Sequence, residues 1–402
     1  MTTLPLDNRA IMAPAVTRTI QTRSLIVGII FSAIAIVGEF LRPDDFFRGY
    51  LLAFMAWLGV TLGSMAILMI RHLTGGGWGM VIRRVLGAAM RCIPLMTILF
   101  IPILFGLPRL YPWARSLDAI ADPHLRQHLE EITKSYLSIP AVIIRAAIYF
   151  AIWNLLSFLL TRWSQEQDRA KPPDNSHRFR AVSGPGLILY AFTISFAAID
   201  WVMSIDPSWI STIYGLLLLI GELLSGLCFA VVVERILVKY PPMSTWLKPE
   251  YVHDHGNWML TFVMVWAYFS FSQLLIIWAG NLPEEITWYY RRFHGGWSAV
   301  GIALIFFHFV VPFVLLLSRP FKRDVRKLVW LAVWLMVMRW VDLFWIIEPD
   351  FSPTLALHWA DIVLPIAMGG LWMWFYFRNL NAIPLLPMYD PEAREVLEPA
   401  HE

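Results

Sequence analysis

The sequence predicts an all-α polytopic membrane protein with ten transmembrane helices. Three observations predict it. First, 58% of the 402 residues are apolar or aromatic and only 15% are charged, where soluble domains carry about 25% charge. Second, apolar runs near the roughly 20 residues that a hydrocarbon core demands recur ten times along the chain. Third, the lysines and arginines fall between those runs and are sorted by side. A soluble globular protein is excluded, and so is a disordered one, which needs the opposite compositional bias. Twenty tryptophans suit the aromatic belts at membrane interfaces.

The expected spans are 24–41, 50–70, 92–107, 138–161, 186–205, 212–234, 258–281, 297–318, 329–347 and 361–377. The first follows Arg9, Arg18 and Arg23 and contains Ala33-Ile34-Ala35, which mimics a signal-peptidase site. That site falls in mid-run and the run is too long for an h-region, so an uncleaved helix is expected. The second span leaves as Arg71-His72-Leu73-Thr74-Gly75-Gly76-Gly77-Trp78. The third is short, but GMVIRRVLGAAMR before it has helical spacing and extends it. Between spans three and four, LDAIADPHLRQHLEEITKSY reads as a short helix on the outer face. The loop before span eight, with Arg291-Arg292, His294, Gly295-Gly296 and Trp297, echoes the Gly-rich break and Arg pair after span two, as an internal duplication would. The tail NAIPLLPMYDPEAREVLEPAHE is polar and Pro-rich, expected either to lie against a partner or to stay mobile.

Ten spans put both termini on one side. The terminal side carries 22 of the 32 Lys+Arg residues and the opposite side 8, while Arg145 and Arg339 lie inside spans. Positive residues favour the cytoplasm, so both termini are expected there. The net charge of +3 offers no patch for nucleic acid.

An ionisable side chain in hydrocarbon costs about 2.5–3.5 kcal/mol on insertion scales, so each one needs a reason. Glu39, Asp200, Glu348 and Asp361 are expected near the outer surface. Glu222, His308, Arg339, Asp342, Arg145 and Asn154 are expected near mid-membrane, and His72 and Glu234 near the cytoplasm. Arg339 and Asp342 are three apart and share a helix face, as an ion pair requires; the pair either orients its helix or serves function. Glu222 has only Leu218, Leu219, Ser225 and Gly226 at helical spacing. It must find a partner on another helix or sit protonated, and such a carboxyl can relay protons. Glu234 lies twelve residues on, about 18 Å of helical rise, and suits the mouth of the same path. His308 fits either a relay or a packed core position. Glu39 and Asp361 read as interface anchors, and Asp200 as an acceptor for a quinol headgroup or an outer-loop donor. The proton-path candidates are thus Glu222, Glu234, His308, Arg339, Asp342, Asp200 and His72.

Redox centres of the chain's own are not expected. Cys92 and Cys228 lie in apolar runs without Cys-x-x-Cys spacing, which excludes a disulfide framework, c-type haem attachment and an iron–sulfur cluster held by this chain alone. No second histidine matches the depth of His308, as a b-haem would require. The Gly75-Gly76-Gly77 run lacks the Gly-Lys-Ser/Thr ending of a phosphate loop.

GYLLAFMAWLGVTLGSMAILMIRHLTGGGWGMVIRRVLGAAMR from Gly49, the IPLM…IPILFGLPRLYPWA segment, AAIDWVMSIDPSW, VKYPPMSTWLKPEYVHDHGNWML and RRFHGGW together resemble the second NrfD-like membrane subunit of bacterial alternative complex III. The likeness spans nearly the whole chain. It implies two four-helix bundles (50–205 and 206–347) between flanking helices at 24–49 and 348–377, with a cytoplasmic N-terminal segment (1–23) and tail (378–402). It implies a bacterial inner-membrane complex that oxidises menaquinol, with haem c and iron–sulfur clusters in partner subunits. Those partners would be a sister NrfD-like quinol-binding subunit, an iron–sulfur/molybdopterin-type subunit and c-type cytochromes. This chain would supply a proton path and scaffold, with menaquinone binding left open. A stand-alone secondary transporter and a purely structural membrane anchor are the competing readings.

Overall fold

A computed structural model describes residues 12–120, 123–168, 174–387 and 390. Residues 1–11 of the expected N-terminal segment, 121–122 of the expected outer helix, and 388–389 and 391–402 of the tail lie outside them. The described elements are all helical. In order they are α1 (Ala15–Leu41), α2 (Pro43–Thr74), α3 (Gly77–Met90), α4 (Ile93–Leu99), α5 (Ile101–Leu110), α6 (Pro123–Ser135), α7 (Ile139–Gln167), α8 (Ser176–Trp201) and α9 (Tyr214–Leu237). They continue as α10 (Met243–Trp246), α11 (Pro249–Gly280), α12 (Pro283–Phe293), α13 (Trp297–Leu304), α14 (Val311–Leu317), α15 (Arg319–Arg323), α16 (Val325–Ile347) and α17 (Trp359–Asn381).

Among the described residues, nine helices are long and apolar enough to cross a membrane. A tenth span is completed if the bent run Gly77–Leu99 plus Ile101–Leu110 is one crossing. The chain is therefore a multi-pass membrane protein by the length and composition of its helices. The third span, extended by the preceding stretch as expected, is bent: it turns by 53° at Phe100. Pro94 and Pro102 each begin a helical segment there, because proline lacks the N–H that would continue the ladder. Several helices also run past their apolar windows; α8 starts at Ser176 and α11 at Pro249, where polar first turns project beyond the expected spans.

Two helices form the centre. α2 and α9 are buried along most of their length, and they lie against each other, with α2 also touching α3, α8 and α17 and α9 touching α8, α11 and α16. The periphery is apolar and exposed: Ile29, Ile36 and Phe40 on α1, Phe158 on α7, Phe192 on α8 and Phe271 on α11 face outward, the pattern of a lipid-facing surface. α1 packs chiefly on α17, and the Thr17 hydroxyl reaches the Asn381 side-chain carbonyl at 2.6 Å. The start of α1 and the end of α17 thus share one face, the terminal face. Both Gly-rich breaks use left-handed backbone, with φ of 68° and 90° at Gly75 and Gly76 and of 61° and 90° at Gly295 and Gly296. Only glycine takes these angles without strain.

Candidate functional site

The centre of the molecule is built on the close approach of α2 and α9. Gly59 and Gly63 are four apart on one face of α2, the small-residue spacing that lets helix backbones touch. A Cβ at Gly63 would overlap the backbone carbonyl of Glu222, and one at Gly59 would stand 3.3 Å from its Cγ. Glu222 is fully buried in this seam. Of the two alternatives its isolation on α9 leaves open, a partner on another helix is present: Tyr190 on α8 donates its hydroxyl to Oε2 at 2.7 Å. Oε1 has no hydrogen-bond partner.

One residue earlier, Gly221 makes room for Arg339 of α16; a Cβ there would overlap its guanidinium. Arg339 pairs with Asp342, one turn along the same helix, and both are buried. Trp266 on α11 donates its indole N–H to Asp342 Oδ2 at 3.2 Å. The same indole lies against the imidazole of His308, centroid to centroid 4.2 Å. His308 is completely buried, and its ring is directed at the backbone carbonyl of Met338 on α16 without strict hydrogen-bond geometry. It sits in a π-helical turn, Ile305–Val310, a widening frequent at functional sites. Pro312 cannot donate back to the His308 carbonyl, which accounts for the local loosening. The Phe307 carbonyl is met by the Trp334 indole at 2.8 Å. Tyr190, Glu222, Arg339, Asp342, Trp266 and His308 therefore make one buried polar cluster contributed by five helical segments.

The other candidates fall into separate clusters. Glu234, at the terminal-face end of α9, has its Oε2 3.1 Å from Nδ1 of His255 on α11, and both side chains are fully buried. The contact is too poorly aligned to be a full hydrogen bond. The other ring nitrogen, Nε2, lies 2.8 Å from the Trp78 carbonyl. A carbonyl only accepts, so Nε2 carries a proton and Nδ1 faces the carboxyl. Between Glu222 and Glu234, α9 offers polar atoms only from Ser225 and Cys228, and the Ser225 hydroxyl is turned to its own helix at Gly221. The two carboxyls share a helix and no side-chain bridge.

Asp200 is fully buried; hydrogen bonds reach it from α7, and Tyr136 of the expected outer segment just before α7 lies beneath Arg145 beside it. Arg145 holds it through two bonds of 2.9 and 2.8 Å, and the Tyr149 hydroxyl adds a third at 2.9 Å. His72 stacks on Phe179, centroids 4.5 Å apart, with Nδ1 3.2 Å from the Ser183 hydroxyl. It lines a small cavity of about 30 Å³ with Arg83, Arg84 and Arg91. Asp361 accepts from the His358 backbone N–H at 2.8 Å and closes the first turn of α17, an anchoring role. Glu348 is fully buried with neither oxygen hydrogen-bonded.

Sequence reasoning missed Tyr190, Trp266 and His255. Tyrosine and tryptophan inside an apolar run look like packing, and their partners lie 32 and 76 residues away. His255 carried a usable signal, since VHDHGNW places a histidine within the first turns of a long apolar helix. It also missed the latch on the opposite face. There Arg292, completely buried, donates to Asp350 at 2.8 Å and to the Ile346 carbonyl at 2.6 Å, while Arg291 reaches Asp206 at 2.8 Å. Among the described residues no three His, Cys, Asp or Glu side chains are grouped to hold a metal ion. No family model matches this chain, and no curated protein matches it.

Proposed function

We propose that this chain is an integral membrane subunit of a menaquinol-oxidising electron-transfer complex of the alternative complex III kind, and that its local activity is to conduct protons. The observation that carries the reading is Glu222, a carboxyl at the centre of the helix array with one oxygen held by Tyr190 and the other open. An ionisable group at that depth is costly, and in membrane proteins such groups mark relays and ion pathways. Tyr190 can donate to Oε2 whether Glu222 is charged or neutral, so the carboxyl keeps its position while a proton comes and goes at Oε1. Arg339 stands beside Glu222 with its charge balanced by Asp342, which lets the carboxyl change state without leaving a lone buried cation. His308 beyond Trp266 is a second ionisable side chain in the same cluster, and Glu234 with His255 places a further carboxyl and imidazole near the terminal face.

In this reading the array forms two four-helix bundles around α2 and α9, with α1 and α17 as the flanking pair. Both termini are cytoplasmic in a bacterial inner membrane, as the charge count supports. Haem c and iron–sulfur clusters belong to the partners: a sister NrfD-like quinol-binding subunit, an iron–sulfur/molybdopterin-type subunit and c-type cytochromes. Quinol oxidation is assigned to the sister subunit. The carboxylate that might have met a quinol headgroup here, Asp200, already accepts three bonds from Arg145 and Tyr149.

Purification from native membranes in mild detergent tests the assignment. Co-purification of c-type haem absorbance and iron–sulfur signals at constant ratio supports it. A haem-free protein that binds a small solute contradicts it and points to a secondary transporter.

A further inference from the structure

On the flank of the molecule, α3, α4, α7 and the end of α17 enclose a groove of about 610 Å³ whose lining includes Arg91, Pro94, Phe158, Thr161, Phe375 and Arg378. No aspartate or glutamate lines it. Two arginines stand at its rim without an ion pair among the described residues. The neighbouring Arg84 is bound by Asp168 and Ser164, but Arg91 has no ion pair among the described residues, and its Nη1 is shielded from solvent without a hydrogen-bond partner. Among the described residues Arg378 rests on the Phe375 ring, 5.6 Å from its centroid, and its charge repels that of Arg91. The Thr161 hydroxyl is a second shielded polar atom without a partner on the same wall. Two like charges at one groove with no acidic residue on its lining favour an anion between them.

The depth and polarity of the groove select the anion. Arg378 lies one turn from the end of α17, and Asn379 beside it donates to the Ala88 carbonyl at 3.3 Å, which places the charged rim near the terminal face. Phe158 is 60% exposed and lies about 4.5 Å deeper along α7 than Thr161, and Pro94 follows Arg91 inward along α4. The groove thus runs from a cationic mouth to an apolar floor along the direction of an acyl chain. We propose that it binds an anionic phospholipid of the leaflet on the terminal side, with Arg91 and Arg378 on the phosphate and a chain lying over Pro94 and Phe158. Basic pockets between transmembrane helices hold anionic headgroups in this way, and guanidinium groups match phosphate oxygens in pairs. The site is independent of the proton path.

The test is lipid retention by the full chain, purified and washed in detergent and then exposed to mixed phosphatidylglycerol and phosphatidylcholine vesicles. One phosphatidylglycerol should stay bound in preference to phosphatidylcholine. The R91Q/R378Q double variant should lose about thirtyfold of that preference, at about 1 kcal/mol per arginine near the headgroups, and R91K/R378K should keep most of it. R378Q alters only an exposed side chain, so its partial loss checks the site without a folding change. Equal retention of both lipids, unchanged retention in R91Q/R378Q and R378Q, displacement by millimolar inorganic phosphate alone, or a protein partner occupying the groove in place of lipid would each overturn the proposal.

Discussion

The hydroxyl of Tyr190 on α8 donates to Oε2 of Glu222 on α9 across 2.7 Å, while Oε1 of the same carboxyl is buried without a partner. The bond fixes the carboxyl, and in the proposed path its second oxygen is where a proton would exchange. A hydrogen bond to a charged group contributes about 1.5–3 kcal/mol, so Tyr190→Phe should slow proton transfer through the subunit by about tenfold or more while the complex still assembles. Proton uptake by reconstituted vesicles during quinol oxidation measures it. Unchanged uptake would show that Tyr190 serves packing alone.

The Arg339–Asp342 pair is buried on both sides. Removing one member of a buried pair strands a charge and costs about 3–5 kcal/mol, whereas replacing both with apolar residues of similar size is often neutral. Asp342→Leu should therefore sharply reduce the amount of folded protein in membranes, and Arg339→Met with Asp342→Leu should restore it. If the pair also tunes Glu222, the restored double variant will still conduct protons poorly. Thermal unfolding of the two variants, followed by a flux measurement on the rescued one, separates the roles.

Gly63 touches the backbone of Glu222, so this glycine sets the distance between α2 and α9. Gly63→Val should push the helices apart and lower the thermal midpoint, with a cost in the range of about 1–3 kcal/mol for overpacking. Gly87, which has open space around its Cα, provides the control: Gly87→Ala should be tolerated. Equal tolerance of both substitutions would contradict the seam.

Much of this architecture was legible in the sequence because a membrane writes it in composition. Apolar length located the spans, and charge sorting supplied the expected orientation. Arg339 and Asp342 were legible as a pair because both lie on one helix three residues apart. The solitary position of Glu222 allowed a partner elsewhere but did not point to Tyr190, since α8 contacts α9 only in the folded array. The bend at Phe100 was hidden for a related reason. Hydropathy averages over Pro94 and Pro102, although each removes a backbone donor. Asp200 misled for the opposite reason: its place near a span end suggested an exposed acceptor, but Arg145, one span earlier, had already taken it.

The orientation rests on the sorting of basic residues and predicts which side chains can be reached from outside. His177, at the start of α8, and Thr354, beyond α16, are both exposed, and the native Cys92 and Cys228 are buried. In intact cells, Thr354→Cys should react with a membrane-impermeant maleimide and His177→Cys should not. The reverse pattern would invert the topology and with it the direction of the proton path.

Replacing Glu222 with Gln tests the central claim most directly, because it keeps the size and most hydrogen bonding of the side chain and removes only the titrating proton. The measurement is the number of protons translocated per electron by the assembled complex in sealed vesicles. If Glu222 relays protons, quinol oxidation continues and that ratio falls. A fully assembled Glu222→Gln complex with an unchanged ratio would contradict the account.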